Sequence, residues 1–390
     1  MKCLMLLESY PKDLVKLLLQ YFDEKRLSSI IASLGRPPKY YSFRVNTMKI
    51  SPEQLIHDLG LRGIYVKQHS MLEEAMLIKV EGPFDIPVVP KKVVVDKFAA
   101  ESVMLGAQLY APGIIRAERV KLGDKVTIVD EFGNPIAYGM AVMSGDDMVR
   151  LRRGLAVKIE VSRYKCISLR ELPEYLNGLI YEQSIPAMLT SLIVAPRPGE
   201  VIVDMCAAPG GKTTHLAQLM GNTGRIYAFD NSRSRIRKLL ENIKRLGAKN
   251  IVVMLSDSRY IHRDFPALKA DRVLIDPPCS ALGVRPKIFE SKSSLDVISC
   301  SNYQLQFFEA AVNVIKPGGV IVYSTCTFTA EENELLVEKV LERYPLELDE
   351  QPIRIGAPGL SLIPQNNFLQ RFYPDIHDSP GYFIARFVRL

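Results

Sequence analysis

The sequence of 390 residues contains no pair of cysteines spaced C-x-x-C, and Cys3, Cys166, Cys206, Cys279, Cys300 and Cys326 are widely scattered. In a chain of this length, that spacing argues against a disulfide framework and a structural zinc site. Free thiols in a reducing compartment, and no bound metal, are expected. No stretch approaches the roughly 20 consecutive apolar residues of a membrane span. The N-terminal run from Met1 to Leu7 meets Glu8 at once and is too short for a signal peptide. A cytosolic chain with no membrane partner is expected, and a monomer is taken as its working state. Internal repeats and low-complexity segments are also missing.

What is there suits a folded protein. Apolar residues make up 47% and charged residues 24%, which permits sizeable cores. At about 100–200 residues per domain, two or three domains are expected. The net charge is +7, and Lys91 to Arg170 holds 14 Lys/Arg against 9 Asp/Glu. A modest basic excess in one stretch suits nucleic acid, and equally an ordinary basic surface.

Three segments follow from the patterning. Residues 1–90 read as a small α+β module. Helices are predicted at Asp13 to Tyr21 and Glu24 to Leu34, and a strand at Tyr41 to Asn46. Ser51-Pro52 opens another helix, with Ser as N-cap and Pro at the first helical position. Ile64 to Lys67 and Ala75 to Val80 read as short strands, and the Pro-rich Gly82 to Pro90 as a linker. Residues 91–163 read as a compact β-barrel. Val93 to Val95, Lys125 to Asp130, Ile136 to Val142 and Leu155 to Val161 are its strands, with a short helix at Lys97 to Met104. Residues 164–390 alternate strands with helices. Val201 to Asp204, Arg225 to Asp230, Ile251 to Ser256, Arg272 to Asp276 and Gly319 to Ser324 suit buried parallel strands. Thr213 to Met220, Arg233 to Leu246 and Tyr303 to Ile315 separate them as helices. This is a doubly wound α/β sheet, which binds its ligand at the carboxyl ends of the strands.

The chemistry-bearing residues fall at those ends. Cys206-Ala207-Ala208-Pro209-Gly210-Gly211-Lys212-Thr213 joins the first strand to a helix, and paired glycines let a backbone approach a ligand closely. The run is not a P-loop, which requires glycine where Cys206 stands, and it lacks the G-x-G-x-x-G spacing. Asp230 ends the second strand, where an acidic residue can accept both ribose hydroxyls. Asp257 follows the third strand and Asp276 ends the fourth, so three carboxylates converge on one edge. In Asp276-Pro277-Pro278-Cys279-Ser280 the two prolines stiffen the backbone between carboxylate and thiol. Ser324-Thr325-Cys326 ends the next strand after the Lys316-Pro317-Gly318-Gly319 turn. Alone, each cysteine reads as a small buried hydrophobe. Paired at neighbouring strand ends among polar residues, they read as functional.

These motifs resemble those of the Sun-domain family of RNA cytosine-5 methyltransferases, from about Tyr164 to Leu390. Phe43-Arg44-Val45-Asn46-Thr47 resembles its N-terminal motif, Tyr181-Glu182-Gln183-Ser184 the segment before its first core strand, and Gly381-Tyr382-Phe383-Ile384 its last motif. The last of these also reads simply as a final sheet strand. Residues from about 92 to 163, with Leu105-Gly106-Ala107 and Tyr110-Ala111-Pro112-Gly113, resemble a PUA RNA-binding domain. A PUA domain ahead of the catalytic domain is similar to the branch of the sixth human Sun-domain protein and its archaeal relatives, which methylates tRNA near the CCA end.

The resemblance implies a Rossmann-like S-adenosyl-L-methionine methyltransferase acting on tRNA, at cytidine 72 of the acceptor stem. It implies Cys326 as the thiolate that adds to carbon 6 of cytosine, Asp276 as a hydrogen-bonding partner of the base, and Cys279 in product release. Splitting one hard step into two through a covalent adduct is the advantage of such a nucleophile. Cys206, Ala207, Ala208, Pro209, Gly210, Gly211, Lys212, Asp230, Asp257 and Asp276 are implied at the cofactor, with Asp230 on the ribose and Asp257 near the adenine amino group. A nearby positive charge should favour the thiolate, from the cofactor sulfonium or from Lys212, which could instead pair with an Asp or cap a helix. Two other readings stand beside this one: an rRNA cytosine-5 methyltransferase, and a non-catalytic RNA-binding assembly factor.

Overall fold

The computed structural model describes residues 7–390; Cys3 and the start of the N-terminal run lie outside the described residues. The largest sheet has eight strands. Its parallel part runs Ile251–Leu255, Arg225–Asp230, Val201–Asp204, Ala270–Ile275 and Ile315–Thr325 in spatial order. Tyr382–Arg389 joins antiparallel to Ile315–Thr325 and in turn pairs with Leu346–Leu348 and Gln370–Phe372. The chain steps outward from Val201–Asp204 to one side, then returns to lay Ala270–Ile275 on the other. The crevice at such a reversal is where doubly wound sheets bind ligands, and here it separates the Cys206–Gly211 loop from Asp276.

The five predicted core strands are present. Ile202, Val203, Val273, Leu274, Ile275, Ile321, Val322 and Tyr323 are fully buried between helical layers. Ile251–Leu255 is the edge strand, so Val252 and Leu255 stay exposed although the run is apolar. The Lys316–Gly319 turn bulges out of its strand: Ala270 pairs with Ile315 and Arg272 with Val320. Helix Arg233–Leu246 matches its predicted limits. Helix Ser294–Val314 starts nine residues before the predicted Tyr303. Its missed signal is the Ser293/Asp296 capping box. Val297 in that first part buries against the N-terminal helices Lys12–Leu18 and Glu24–Leu34 rather than against the sheet.

The N-terminal sheet has the order Ile180–Glu182, Tyr40–Val45, Ala75–Lys79, Val66–Gln68. Its edge strand Ile180–Glu182 comes from beyond the 163/164 boundary drawn from sequence. The chain thus leaves this module, builds the 91–163 unit, and returns to complete the sheet. That inserted unit is a six-stranded sheet around Val95, Val103, Ile114, Val126, Ile128 and Val157. Patterning missed its strands Leu109–Tyr110 and Ile114–Arg116, too short to show alternation, and its helix Gly145–Leu151 capped by Ser144. The unit rests on the loop that follows Cys279. Glu101 accepts from Ile288 N at 3.1 Å, and Phe132 meets Phe289 edge-on with centroids 5.1 Å apart.

Candidate active site

The end of the first core strand and the loop after it are held by a buried carboxylate absent from the predicted site. Asp204 accepts from Thr213 Oγ1 at 2.7 Å and from Cys206 N at 3.3 Å, closing the Cys206–Thr213 loop on itself. Gly210 lies at φ +108°, and a Cβ there would come within 2.7 Å of Leu239. Glycine is therefore required by conformation and by space. Gly211 opens helix Gly211–Leu219 beneath Tyr181, whose ring is 3.0 Å from where a Cβ would stand. The N-terminal motif converges on the same turn. Fully buried Arg44 donates to Gly211 O at 2.8 Å, Thr214 Oγ1 at 3.0 Å and Gln183 Oε1 at 2.7 Å. Two segments far apart in sequence, Phe43 to Thr47 and Tyr181 to Ser184, thus brace the glycine turn together.

Burial pushes the Asp204 carboxyl up from 3.8 to about 7; the Thr213 hydroxyl and Lys212 oppose this, and Asp276 adds to it. A carboxyl with a raised native pKa binds its proton more tightly in the fold than in the unfolded chain. Its contribution to stability is therefore complete below about pH 4 and is lost as pH rises to about 7. Asp204→Asn is expected to remove that slope. Urea midpoints at pH 5 and pH 8 check this: the native chain should lose more stability between them than the variant, and equal losses would refute the shift.

Asp230 and Asp257 line one small cleft with Met205, Cys206, Pro278 and Tyr303. Asp230 Oδ1 accepts from Ser232 N at 2.9 Å and pairs with Arg235 at 3.1 Å. Among the described residues Oδ2 has no partner, which leaves an acceptor for a diol. Asp257 is engaged by Arg259, whose Nε donates to both carboxylate oxygens at 3.0 and 3.1 Å. The Arg259 hydrogen bonds hold the Asp257 carboxyl below its usual range. The same guanidinium lies 4.6 Å from the Tyr303 ring centroid. The two carboxylates and one aromatic ring thus gather at one cleft.

Asp276, Cys279 and Cys326 meet at the ends of the neighbouring strands Ala270–Ile275 and Ile315–Thr325, on one side of the switch point. The two sulfurs are 3.2 Å apart. The Cys279 hydrogen bond lowers the Cys326 thiol pKa against the effect of burial, while Cys279 is raised by that same bond and by burial. Lys212 also lowers Cys326, though less than Cys279 does. Its ammonium pairs with Asp276 Oδ2 at 2.6 Å, the pairing left open from sequence. Asp276 Oδ1 accepts from Ser324 Oγ at 2.7 Å and faces Tyr382 OH at 3.4 Å. Tyr382 was read within a segment that resembles the family's last motif and also reads as a final strand; pairing of that strand beside Ser324 brings its hydroxyl to the site. Among the described residues no group of three or more His, Cys, Asp or Glu could hold a metal ion, and no helix is long and apolar enough to cross a membrane.

Comparison with known proteins gives consistent matches. Residues 191–388 match the family described as 16S rRNA methyltransferase RsmB/F, and residues 91–162 match the PUA domain. A tRNA (cytosine(72)-C(5))-methyltransferase of Pyrococcus horikoshii is 43% identical, over 97% of this chain and 97% of that protein. The human tRNA (cytosine(72)-C(5))-methyltransferase NSUN6 is 31% identical, over 97% of this chain and 94% of its own length. The crystal structure of NSun6 from Pyrococcus horikoshii with SFG superposes with a TM-score of 0.91 at 42% identity, covering 98% of this chain and 99% of that one.

Proposed function

The chain belongs to the RsmB/F family and carries a PUA domain, and from that premise we propose that it is an S-adenosylmethionine-dependent tRNA cytosine-5 methyltransferase acting on cytosine 72. The observation that carries the chemistry is the 3.2 Å approach of two thiols at neighbouring strand ends beside Asp276. The substrate rests on where the matches lie. The two tRNA-modifying relatives match 97% of the chain at 43% and 31% identity, whereas the rRNA-modifying relatives match either about 55% of it or, over 94%, at only 27% identity. This favours tRNA over rRNA. The intact thiol pair and acidic cleft favour an enzyme over a non-catalytic assembly factor.

When bound, S-adenosylmethionine supplies an electrophilic methyl group; SFG, present in the related crystal structure, is an analogue of it. The backbone from Cys206 to Gly211 and Asp230 would hold it, Asp230 through its free Oδ2. Asp257, held by Arg259, would lie near the adenine. Cys326, carrying the lowered thiol pKa, adds to carbon 6 of cytosine and makes carbon 5 nucleophilic. Asp276, anchored by Lys212 and Ser324, accepts from the cytosine amino group and from N3–H once addition at carbon 6 has made N3 basic enough to take up a proton. Once carbon 5 is methylated its proton must pass to a base, a water at the site or Cys279 as its thiolate. The C5–H electron pair then restores the double bond to carbon 6, and Cys326 departs as thiolate. Cys279 is assigned to that release.

The base must leave its stack, at a cost of a few kcal/mol. Binding of the RNA end by residues 91–163 offsets it. A cavity of about 1190 Å³ between this unit and the catalytic sheet, lined among others by Tyr40, Tyr41, Tyr110, Arg170 and Arg285, has room for single-stranded nucleotides. The described cysteines are all free, consistent with work in the cytosol. Incubation with methyl-labelled S-adenosylmethionine and unmodified total tRNA, followed by mapping of 5-methylcytosine, should label cytosine 72 alone. Label in ribosomal RNA only would move the substrate, and label in neither would favour the assembly factor.

A further inference from the structure

Glu332 is fully buried, and among the described residues no cation pairs with it. Burying a carboxylate is costly unless hydrogen bonds replace its water. Four do so here. Oε1 accepts from Ser280 N at 2.8 Å and Gln304 Nε2 at 2.9 Å; Oε2 accepts from Ser280 Oγ at 2.5 Å and Thr329 Oγ1 at 3.0 Å. Two of the four come from the residue that follows Cys279. The others tie that residue to its surroundings. Gln304 also donates to Pro278 O at 3.1 Å, and Ser280 Oγ meets Thr327 Oγ1, next to Cys326, at 2.8 Å. Lys292 donates to Ser280 O from the opposite side. The main chain around Cys279 is thus fixed from one carboxylate that also holds the turn after Cys326.

We propose that Glu332 is a positioning residue for the thiol pair, fixing Ser280 and with it Cys279 Sγ at contact distance from Cys326. This rests on the reading of Cys326 as nucleophile and Cys279 as the release residue. A carboxylate that merely stabilised the 327–333 turn would lower the melting temperature without separating the steps of the reaction. A positioning carboxylate separates them, because adduct formation needs Cys326 while release needs Cys279 in place.

The test compares Glu332→Gln, Ser280→Ala and Cys279→Ala with the native chain. It uses tRNA and S-adenosylmethionine, and reads turnover together with the fraction of chain that runs as a denaturation-stable RNA complex. Glu332→Gln is expected to slow turnover and raise the trapped fraction, each by about tenfold, within the roughly 10²-fold that a 1 Å misplacement near a reacting group can cost. KM for tRNA should fall with turnover, because slowing a step after adduct formation leaves kcat/KM near the native value. Ser280→Ala should act in the same direction with a smaller effect, and it decides the matter if Glu332→Gln does not fold. Trapping by Cys279→Ala but by neither of the other folded variants would overturn the positioning role. Failure of Cys279→Ala itself to trap would overturn the thiol reading beneath it.

Discussion

Cys326→Ala is expected to abolish methyl transfer, lowering turnover by about 10⁴-fold or more, as loss of a covalent nucleophile does elsewhere. Alanine offers carbon 6 nothing to bond, and the second thiol is no substitute. Cys279 is raised by its hydrogen bond to Cys326 and by burial, and it stands 3.2 Å from that sulfur, beside the nucleophile rather than in its place. Cys279→Ala is expected to behave differently. The nucleophile remains and the adduct forms, but release stalls, and the chain accumulates on RNA as a band that survives denaturation. The double variant Cys279→Ala/Cys326→Ala should lose that band, which identifies the sulfur that holds the RNA. Methylation by Cys326→Ala at more than a hundredth of the native rate, judged against the magnitude above, would refute the assignment.

Asp276→Asn should lower kcat/KM by about 10²–10³-fold, the usual cost of removing one group preorganised for charge that develops in the transition state. The native carboxylate accepts from Ser324, faces Tyr382 and pairs with Lys212. Asparagine can keep the Ser324 bond, but it turns an N–H₂ toward the Lys212 ammonium and offers the base one acceptor fewer. The partly exposed Lys212 can turn to solvent, so the fold should survive. The deficit should appear in the rate of adduct formation measured in a Cys279→Ala background. A change of threefold or less there would remove Asp276 from the reaction and leave it a structural partner of Lys212.

Much of the site was legible because doubly wound sheets gather strand ends at one edge. A buried parallel strand is a short apolar run with an abrupt polar end. Asp230, Asp257, Asp276, Cys279 and Cys326 were found at those ends without knowledge of the packing. Asp204 stands at such an end too, but its side chain turns back onto Thr213 and Cys206 N, a contact that no local pattern shows. The chemistry of the two thiols needed only their neighbouring strand ends and the resemblance carried by the motifs around them.

Contacts between segments remote in sequence were decided by tertiary structure alone, since no local pattern encodes who meets whom across a core. Helix Ser294–Val314 looked short because its first part buries Val297 against N-terminal helices rather than the sheet. The strand Ile180–Glu182 returns to the N-terminal sheet although the whole 91–163 unit intervenes. Arg44 reaches the glycine turn, Tyr382 reaches Asp276, and Glu332 reaches Ser280 only through such approaches. The sequence alone determined which polar groups stand at the strand ends, because strand periodicity and motif chemistry are local. The distances between those groups, and the buried polar residues that hold them, were decided only by the packed fold, where low dielectric and excluded water make each hydrogen bond matter.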